Sequence, residues 1–227
     1  MNETRTGFLF DLDGTLVDSV YQHVLAWQEA LAASGIELDI WRVHRRIGMS
    51  GGLLTNELLR EVGRKTVSAD EVNRLQRVHA EAFARLSPKI RPLNGARELL
   101  AHLTAVGAPW AIATSGRGES ARRTVASLGV LDTAPLITRD DVRHAKPDPD
   151  LFLAAAERVG VPIASCVVVG DSVWDLLAAR RARALGVGVL SGGYGRDELE
   201  RAGAYRVYQD PADLLSHLDE VGLRTID

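Results

Sequence analysis

The chain has 227 residues, of which 46% are hydrophobic and 25% are charged, a composition that is typical of a globular protein and excludes a disordered one. Its length exceeds that of a common single domain, so we expect either one core with a sizeable insertion or two modest domains. The formal net charge of −3 is spread without long blocks of one sign, which argues against nucleic-acid and membrane partners.

The first predicted strand covers residues 7–10 and ends on Asp11 and Asp13. Side chains two residues apart on an extended backbone leave it on the same side, so we expect these two carboxylates to face each other beyond the strand. Their repulsion is tolerable if a divalent cation lies between them or if one carboxyl keeps its proton. Both arrangements are typical of catalytic sites.

Residues 17–89 carry only helix-periodic apolar patterns, punctuated by glycines. We interpret them as an all-helical unit inserted into a core of residues 1–16 and 90–227. Pro88 and Pro92 predict a stiff return connection, and hinges are expected near residues 16–19 and 88–92. Asn94 is the predicted N-cap of the helix that follows.

The core alternates short apolar strands with helices. Further strands are predicted at residues 110–113, 136–137, 166–169 and 186–190, with a weak last one at 205–207. Unbroken apolar runs suit strands that are covered on both faces, so the predicted fold class is α/β, with a Rossmann-like, doubly wound parallel sheet.

Polar residues follow three of these strands: Asp11, Thr114 and Asp171. The carboxyl ends of parallel strands meet at one edge of the sheet, where ligands bind. Asp11, Asp13 and Asp171 offer a hard cation three oxygen ligands, while Thr114 and the amides after it suit a phosphoryl oxygen at the start of a helix.

Lys146 lies two residues before Asp148, which has a proline on each side, on a loop before the predicted helix 151–159. An ammonium group beside clustered carboxylates lowers the cost of packing several anions together. The single cysteine, Cys166, is interpreted as a buried apolar residue. Residues 1–5 lack the features of a signal peptide, and no apolar stretch approaches the ~20 residues that span a bilayer, so we expect a cytoplasmic protein.

The segments 11–15, 146–147 and 170–175, together with Thr114, resemble in order and spacing the four motifs of the haloacid dehalogenase superfamily of phosphohydrolases. The helical insertion is similar to the small cap of the phosphoglycolate phosphatase and β-phosphoglucomutase group. This resemblance covers nearly the whole chain.

The resemblance implies that Asp11 is a nucleophile that forms an aspartyl-phosphate and also binds Mg²⁺. Asp13 is then the general acid and afterwards the general base, which requires its surroundings to hold it protonated before the first step, and its backbone carbonyl is a metal ligand. Asp171 is the remaining metal ligand. Asp175 is a partner that orients either the metal site or Lys146.

The resemblance further implies that Thr114 and Lys146 stabilise charge on the transferring phosphoryl group. Phosphate contacts are assigned to Gly14, Thr114, Ser115, Gly116 and Lys146. Contacts of the substrate with the cap side are assigned to His23, Arg46, Gly48 and Arg117. Many relatives have glycine where Arg183 stands, and we expect Gly186 to end that helix instead.

Each assignment has a structural alternative: Thr114 as a helix N-cap, Asp175 as a solvated acid, Lys146 as a surface lysine and His23 as a packed residue. A magnesium-dependent phosphatase of a small phosphorylated metabolite, monomeric or homodimeric, is the preferred function. A phosphomutase that recruits His23 and Arg117 and a non-catalytic phosphate-binding module are the alternatives. A dehalogenase is disfavoured, because displacing halide requires neither a metal nor an acid two residues after the nucleophile.

Overall fold

The computed structural model describes residues 5–64, 68–131 and 133–223, so most of the segment considered above for a signal peptide lies outside the described residues. The strands are β1 (Gly7–Phe10), β2 (Val17–Asp18), β3 (Arg91–Pro92), β4 (Trp110–Ala113), β5 (Leu136–Ile137), β6 (Cys166–Gly170), β7 (Leu185–Val189) and β8 (Ala204–Tyr208). The α-helices are α1 (Val20–Ala32), α2 (Ile40–His44), α3 (Gly51–Glu61), α4 (Ala69–Leu86), α5 (Ala96–Ala105), α6 (Gly118–Ala126), α7 (Asp150–Val159), α8 (Val173–Ala182), α9 (Arg196–Ala202) and α10 (Pro211–Leu215). Among the described residues, no helix is both long enough and apolar enough to span a bilayer.

Six parallel strands form the core sheet, in the order β5-β4-β1-β6-β7-β8. Alternate residues of β1 face opposite sides: Phe8 and Phe10 pack with α5, while Leu9 packs with Phe152 of α7. All three β1 residues are fully buried. Because both faces are covered by helices, the sheet is doubly wound, as predicted, and its strands are apolar throughout.

Helices α1 to α4 pack around a separate apolar cluster that includes Val24, Trp27, Leu58 and Leu75. At the base of these helices, β2 and β3 pair as a two-residue antiparallel ribbon, which the sequence analysis did not predict. The ribbon joins the two segments where we expect hinges. The boundaries of the cap at residues 17–89, and its hinges, stay predictions.

Two predicted element ends are wrong, and packing explains the one at helix α5. Strand β7 begins one residue earlier than expected, and Leu190 already belongs to the following 3₁₀ turn. Helix α5 is capped by Gly95, not by Asn94, whose side chain donates to Asp210. Gly95 has φ +75, and a Cβ there would lie 2.4 Å from the backbone of Ala212, so only glycine fits.

The expected end of helix α8 is also wrong. The helix ends at Ala182, and Arg183 itself adopts the left-handed C-cap conformation, with φ 63. Gly186 instead lies within β7, opposite Ala204 of β8. The chain reverses before Gly186 because the amide of Ala184 already bonds back to the carbonyl of Ala179, which leaves Arg183 to make the turn.

Candidate active site

Three buried carboxylates meet at the carboxyl edge of the sheet. Asp11 follows β1, Asp171 follows the neighbouring strand β6, and Asp175 lies in the first turn of α8. One oxygen of each lies within 4.8 Å of the others, and each residue is at most 5% exposed. Ser172 caps α8 and binds Asp175 through its amide and hydroxyl, which fixes the third carboxylate in place.

Lys146 supplies positive charge to this cluster from a fully buried position. Its Nζ forms an ion pair with Asp11 Oδ1 and lies 2.8 Å from Asp175 Oδ1, in a contact that is not a well-aligned hydrogen bond. Burial opposes the charge on Lys146, but the two carboxylates outweigh it and raise the pKa of the ammonium. Lys146 is therefore not a surface lysine, and the structure joins Asp175 to it.

The cluster holds more negative charge than Lys146 can balance. Burial raises the pKa of Asp11 to about 7, against the opposing effect of Lys146 and with the help of Asp175 and Asp13. Burial, then Asp175 and Asp11, also raises the pKa of Asp171 well above its ordinary value. Such a buried set of carboxylate oxygens has the donor chemistry that a hard divalent cation such as Mg²⁺ requires.

Two glycines allow the backbone to close tightly around Asp171. A Cβ at Gly192 would lie 1.7 Å from Asp171 Oδ2, and a Cβ at Gly14, where φ is +86, would lie 2.6 Å from the same atom. The Ser191 hydroxyl donates to the carbonyl of Gly14 at 2.6 Å, and Thr15 donates to Asp171 at 3.0 Å. The turn at Ser191 and Gly192 thus encloses the acidic cluster.

The carboxylate of Asp13 lies outside the three-carboxylate cluster, although its charge helps to raise the pKa of Asp11; a cation between the Asp11 and Asp13 carboxylates stays a prediction. The strand ends at Phe10, and the chain then turns so tightly that the carbonyl of Leu12 accepts the amides of Thr15, Leu16 and Val17. Side chains two residues apart point to the same side of the backbone only along an extended strand. The backbone carbonyl of Asp13 stays a predicted metal ligand.

The carboxylate of Asp13 instead faces three polar side chains. Ser19 donates to Oδ1 at 2.6 Å, His23 Nε2 lies 3.4 Å from the same oxygen, and Thr114 donates to Oδ2 at 3.4 Å. Burial raises the pKa of Asp13, but His23 and Ser19 outweigh it, and the net pKa is lowered. The expected protonated Asp13 is thus not favoured by its surroundings in this structure.

The loop after β4 forms the opposite wall of the site. The Thr114 hydroxyl accepts the amide of Gly116 at 2.9 Å. Helix α6 is capped by Arg117, so Thr114 is not its N-cap. The Ser115 hydroxyl donates to the carbonyl of Gly48 at 3.1 Å, a contact that connects the core to the cap.

A cavity of about 830 Å³ opens between the cap and the core over this wall. The predicted site residues that line it are Asp11, Asp13, His23, Gly48, Thr114, Ser115, Gly116 and Arg117. Lys146, Asp171 and Asp175 are buried beneath it. The guanidinium of Arg46 pairs with Glu61 of α3 and does not line the cavity, so a contact of Arg46 with the substrate stays a prediction.

Several residues of the site escaped the sequence analysis. Ser19 holds Asp13, Gly192 encloses Asp171, and His79 of α4 faces His23, with 3.2 Å between His79 Nε2 and His23 Nδ1. Burial, with His23 beside it, lowers the pKa of His79 well below its ordinary value. Ser19 lies directly before the first helical pattern, where serine predicts a helix N-cap. It is the N-cap of α1, but its hydroxyl binds Asp13 and makes no cap hydrogen bond. The positions of Gly192 and His79 depend on contacts between distant segments.

Comparisons with known proteins agree with this geometry. Residues 6–183 match the family model described as haloacid dehalogenase-like hydrolase. The chain is 34% identical over 181 residues to hexitol phosphatase A of Escherichia coli strain K12, covering 78% of this chain and 79% of that protein. It is 31% identical over 214 residues to a phosphoglycolate phosphatase of Rhodospirillum rubrum, covering 91% and 88%. A solved hydrolase from Pseudomonas syringae has a TM-score of 0.93 and 54% identity, covering 96% of this chain and 100% of that one.

Proposed function

The chain belongs to the haloacid dehalogenase-like hydrolase family and is a phosphatase of small phosphorylated metabolites; from that premise we propose a magnesium-dependent reaction through an aspartyl-phosphate on Asp11. One observation carries the proposal. The carboxylate of Asp11 belongs to the three-carboxylate cluster, and Asp11 also lines the open cavity. Asp13, which follows the same strand, lines that cavity as well.

In the first proposed step, an Asp11 oxygen bonds to phosphorus while the ester P–O bond breaks, and Asp13 gives its proton to the leaving alkoxide. In the second step, a water oxygen bonds to phosphorus, its proton passes to Asp13, and the bond from phosphorus to Asp11 breaks. Inorganic phosphate leaves, and both carboxyl groups return to their starting states.

Asp13 must gain a proton before the first step, although its pKa is lowered in the free protein. A dianionic phosphoryl group placed between Asp11 and Asp13 would add negative charge beside Asp13. Like charge raises the pKa of a carboxyl group. Substrate binding is thus the proposed cause of the protonation that the free site does not favour.

Asp11, Asp171 and the backbone carbonyl of Asp13 would hold Mg²⁺, which when bound supplies positive charge against the phosphoryl oxygens. Lys146 adds a fixed positive charge on Asp11, and Asp175 holds Lys146 in place. Thr114 and the amides of Ser115 and Gly116 are the proposed donors to the phosphoryl group. Lys146, Asp175 and Thr114 are buried, which strengthens their interactions.

The proposal is tested by phosphate release from a panel that contains phosphoglycolate, a hexitol phosphate and fructose 1-phosphate, with and without Mg²⁺. Asp11→Asn is expected to lower turnover at least about 1,000-fold, because it removes the nucleophile. Asp70→Asn, which changes an exposed aspartate of α4, is the matched control and keeps full turnover. Equal turnover in Asp11→Asn, or turnover without a divalent cation, contradicts the proposal.

A phosphomutase is the second candidate, because His23 contacts Asp13 and lines the cavity together with Arg117. Such an enzyme retains the phosphoryl group and needs a sugar bisphosphate for steady activity. Steady release of inorganic phosphate from sugar phosphates would exclude it. Inactivity of the pure protein with Mg²⁺ on the whole panel would instead revive the non-catalytic phosphate-binding module. Location in the cytoplasm and a monomeric or homodimeric state stay predictions.

A further inference from the structure

Two histidines from different cap helices meet beside Asp13. His23 belongs to α1 and His79 to α4, 56 residues further along the chain. The distance from His23 Nδ1 to His79 Nε2 is 3.2 Å, and the other ring nitrogen of His23, Nε2, lies 3.4 Å from Asp13 Oδ1. The three side chains therefore form a chain of contacts that runs from the cap to the core.

Aromatic packing holds both imidazoles in place. The ring of His23 is stacked on Phe83, with 3.9 Å between ring centroids, and the ring of His79 is stacked on Trp27, with 4.3 Å between centroids. The two imidazoles are themselves nearly parallel, with an interplanar angle of 13°. Neither ring can turn without losing a stacked neighbour, so the pair forms a preorganised support.

Hydrogen-bonding rules decide how the pair acts on Asp13. If His79 donates its Nε2–H to His23 Nδ1, neutral His23 carries its proton on Nε2, where it points at the Asp13 carboxylate. If a neutral His23 instead carried its proton on Nδ1, the lone pair of Nε2 would face the Asp13 carboxylate, and the two would repel each other. A protonated His23 would donate from both ring nitrogens, to His79 and to Asp13, so in either state the contact with His79 keeps a His23 N–H on Nε2, directed at Asp13.

We infer that His79 is a positioning residue for the proposed reaction: through His23 it holds Asp13 Oδ1, so that Oδ2 is presented to the leaving oxygen. The inference rests on the proposed function and goes beyond it. His79 lies on the cap and Asp13 on the core, so the assembly of the acid depends on the cap being in place. His79 itself touches neither Asp13 nor the reacting phosphorus in this role.

The test compares two kinds of phosphate ester that differ in their need for an acid. An alkyl phosphate leaves as a basic alkoxide and needs the proton of Asp13, whereas p-nitrophenyl phosphate leaves as a weakly basic phenolate and does not. His79→Leu keeps an apolar side chain against Trp27 and removes the hydrogen bond. We expect it to lower kcat on the best alkyl ester of the panel about 10-fold or more, and on p-nitrophenyl phosphate less than about 3-fold.

Two further variants separate positioning from loss of structure. His79→Gln retains a side-chain N–H donor at similar reach and is expected to recover most of the alkyl-ester activity. Val78→Ala, which loosens the cap core one residue away, is expected to change both esters by the same factor. The ring ¹⁵N shifts of His23 provide a readout that does not depend on activity, and His79→Leu is expected to move them away from the pure Nε2–H tautomer.

The outcomes distinguish the two levels of the proposal. A wild type that releases phosphate from neither ester contradicts the proposed function itself. An active wild type with equal losses on both esters in His79→Leu, or with unchanged His23 shifts, overturns only the positioning role. Loss on the alkyl ester alone, with recovery in His79→Gln, supports it.

Discussion

At the scale of single residues, the charge of Lys146 contributes both to the stability of the fold and to the proposed reaction. Its ammonium is completely enclosed and serves Asp11 and Asp175 together. Taking these ions out of water is costly, and their mutual attraction repays the cost only while both partners are present. The same ammonium keeps Asp11 more ionised than burial alone would allow, which a nucleophile requires.

Lys146→Met is therefore expected to lower the free energy of unfolding by about 3 kcal/mol at pH 7.5, because two buried carboxylates lose their counter-charge. Turnover is expected to fall at least about 100-fold. Chemical denaturation and phosphate release measure the two effects. Lys89→Met, at an exposed lysine, is the control, and a loss of stability below about 1 kcal/mol in Lys146→Met would contradict the role of the buried charge.

At the scale of elements, the end of helix α8 carries a local strain that the fold tolerates. Arg183 has φ 63, a left-handed conformation that costs an L-residue with a Cβ roughly 1 kcal/mol. Its side chain is exposed, so burial of apolar surface does not repay this cost. The helix must nevertheless stop there, because β7 begins two residues later beside β6.

Arg183→Gly is expected to raise the free energy of unfolding by about 0.5–1 kcal/mol, since glycine adopts positive φ without steric cost. Thermal unfolding of the purified protein measures it. Arg183→Ala is the matched variant: it removes the same charge but keeps the Cβ, so it should not share the gain. If both variants change stability equally, the effect comes from the side chain and not from the backbone conformation.

At the scale of the whole molecule, a further set of contacts joins the cap to the core through residues that do not line the cavity. The guanidinium of Arg45 pairs with Glu198 of α9 and stacks over the Tyr194 ring, with 4.1 Å from its Cζ to the ring centroid. The Tyr194 hydroxyl donates a hydrogen bond to the backbone carbonyl of Arg45. His44 bonds to the carbonyl of Gly192 at 2.9 Å. The half-exposed ion pair is individually weak, so this contact set favours closure without locking it.

Arg45→Met is expected to shift the cap toward opening by less than about tenfold, because an exposed ion pair and a cation–π contact together contribute about 1 kcal/mol. The amide of Ser50, which donates across the boundary to the carbonyl of Lys146 at 3.1 Å, reports this opening by hydrogen exchange. Arg60→Met, which breaks an ion pair within α3, should leave that amide unchanged. Slower exchange at Ser50 in Arg45→Met would count against the closure role.

The acidic cluster also predicts that the stability of the protein depends on pH and on the proposed Mg²⁺. The pKa of Asp11 is raised to about 7 and that of Asp171 is raised as well, so between about pH 4 and pH 7 the folded protein binds more protons at these groups than the unfolded chain. Their contribution to stability therefore falls as pH rises through this window. Lys146, whose pKa is raised above its ordinary value of 10.5, stays charged in both states throughout this window.

In the proposed site Mg²⁺ would bind the ionised carboxylates, so it is expected to stabilise the protein more at pH 7.5 than at pH 5. The difference in Tm with Mg²⁺ and with EDTA, measured at each pH, tests this. Asp171→Asn should reduce the difference at pH 7.5 to nearly nothing, while Asp70→Asn should preserve it. A larger Mg²⁺ effect at pH 5 than at pH 7.5 would reverse the expected sign.

The sequence by itself determined the sheet and the edge at which the chemistry collects. Apolar runs such as 7–10 and 166–169 identify buried parallel strands, because such strands need no alternation of polar residues. Parallel topology then brings the residues after each strand together, so the sequence alone predicts that Asp11, Thr114 and Asp171 lie at one edge of the sheet. The family resemblance carried the assignment of roles and the presence of a cap.

Only the tertiary structure decided which way the side chains face and which distant residues meet. The Asp13 carboxylate lies outside the three-carboxylate cluster because the strand ends at Phe10, and Arg46 pairs within the cap because neighbouring positions at a helix end point in different directions. The contact between His23 and His79 requires α1 and α4 to pack in one register. Local patterns encode which face of a segment is apolar, but they do not encode the partner that this face meets.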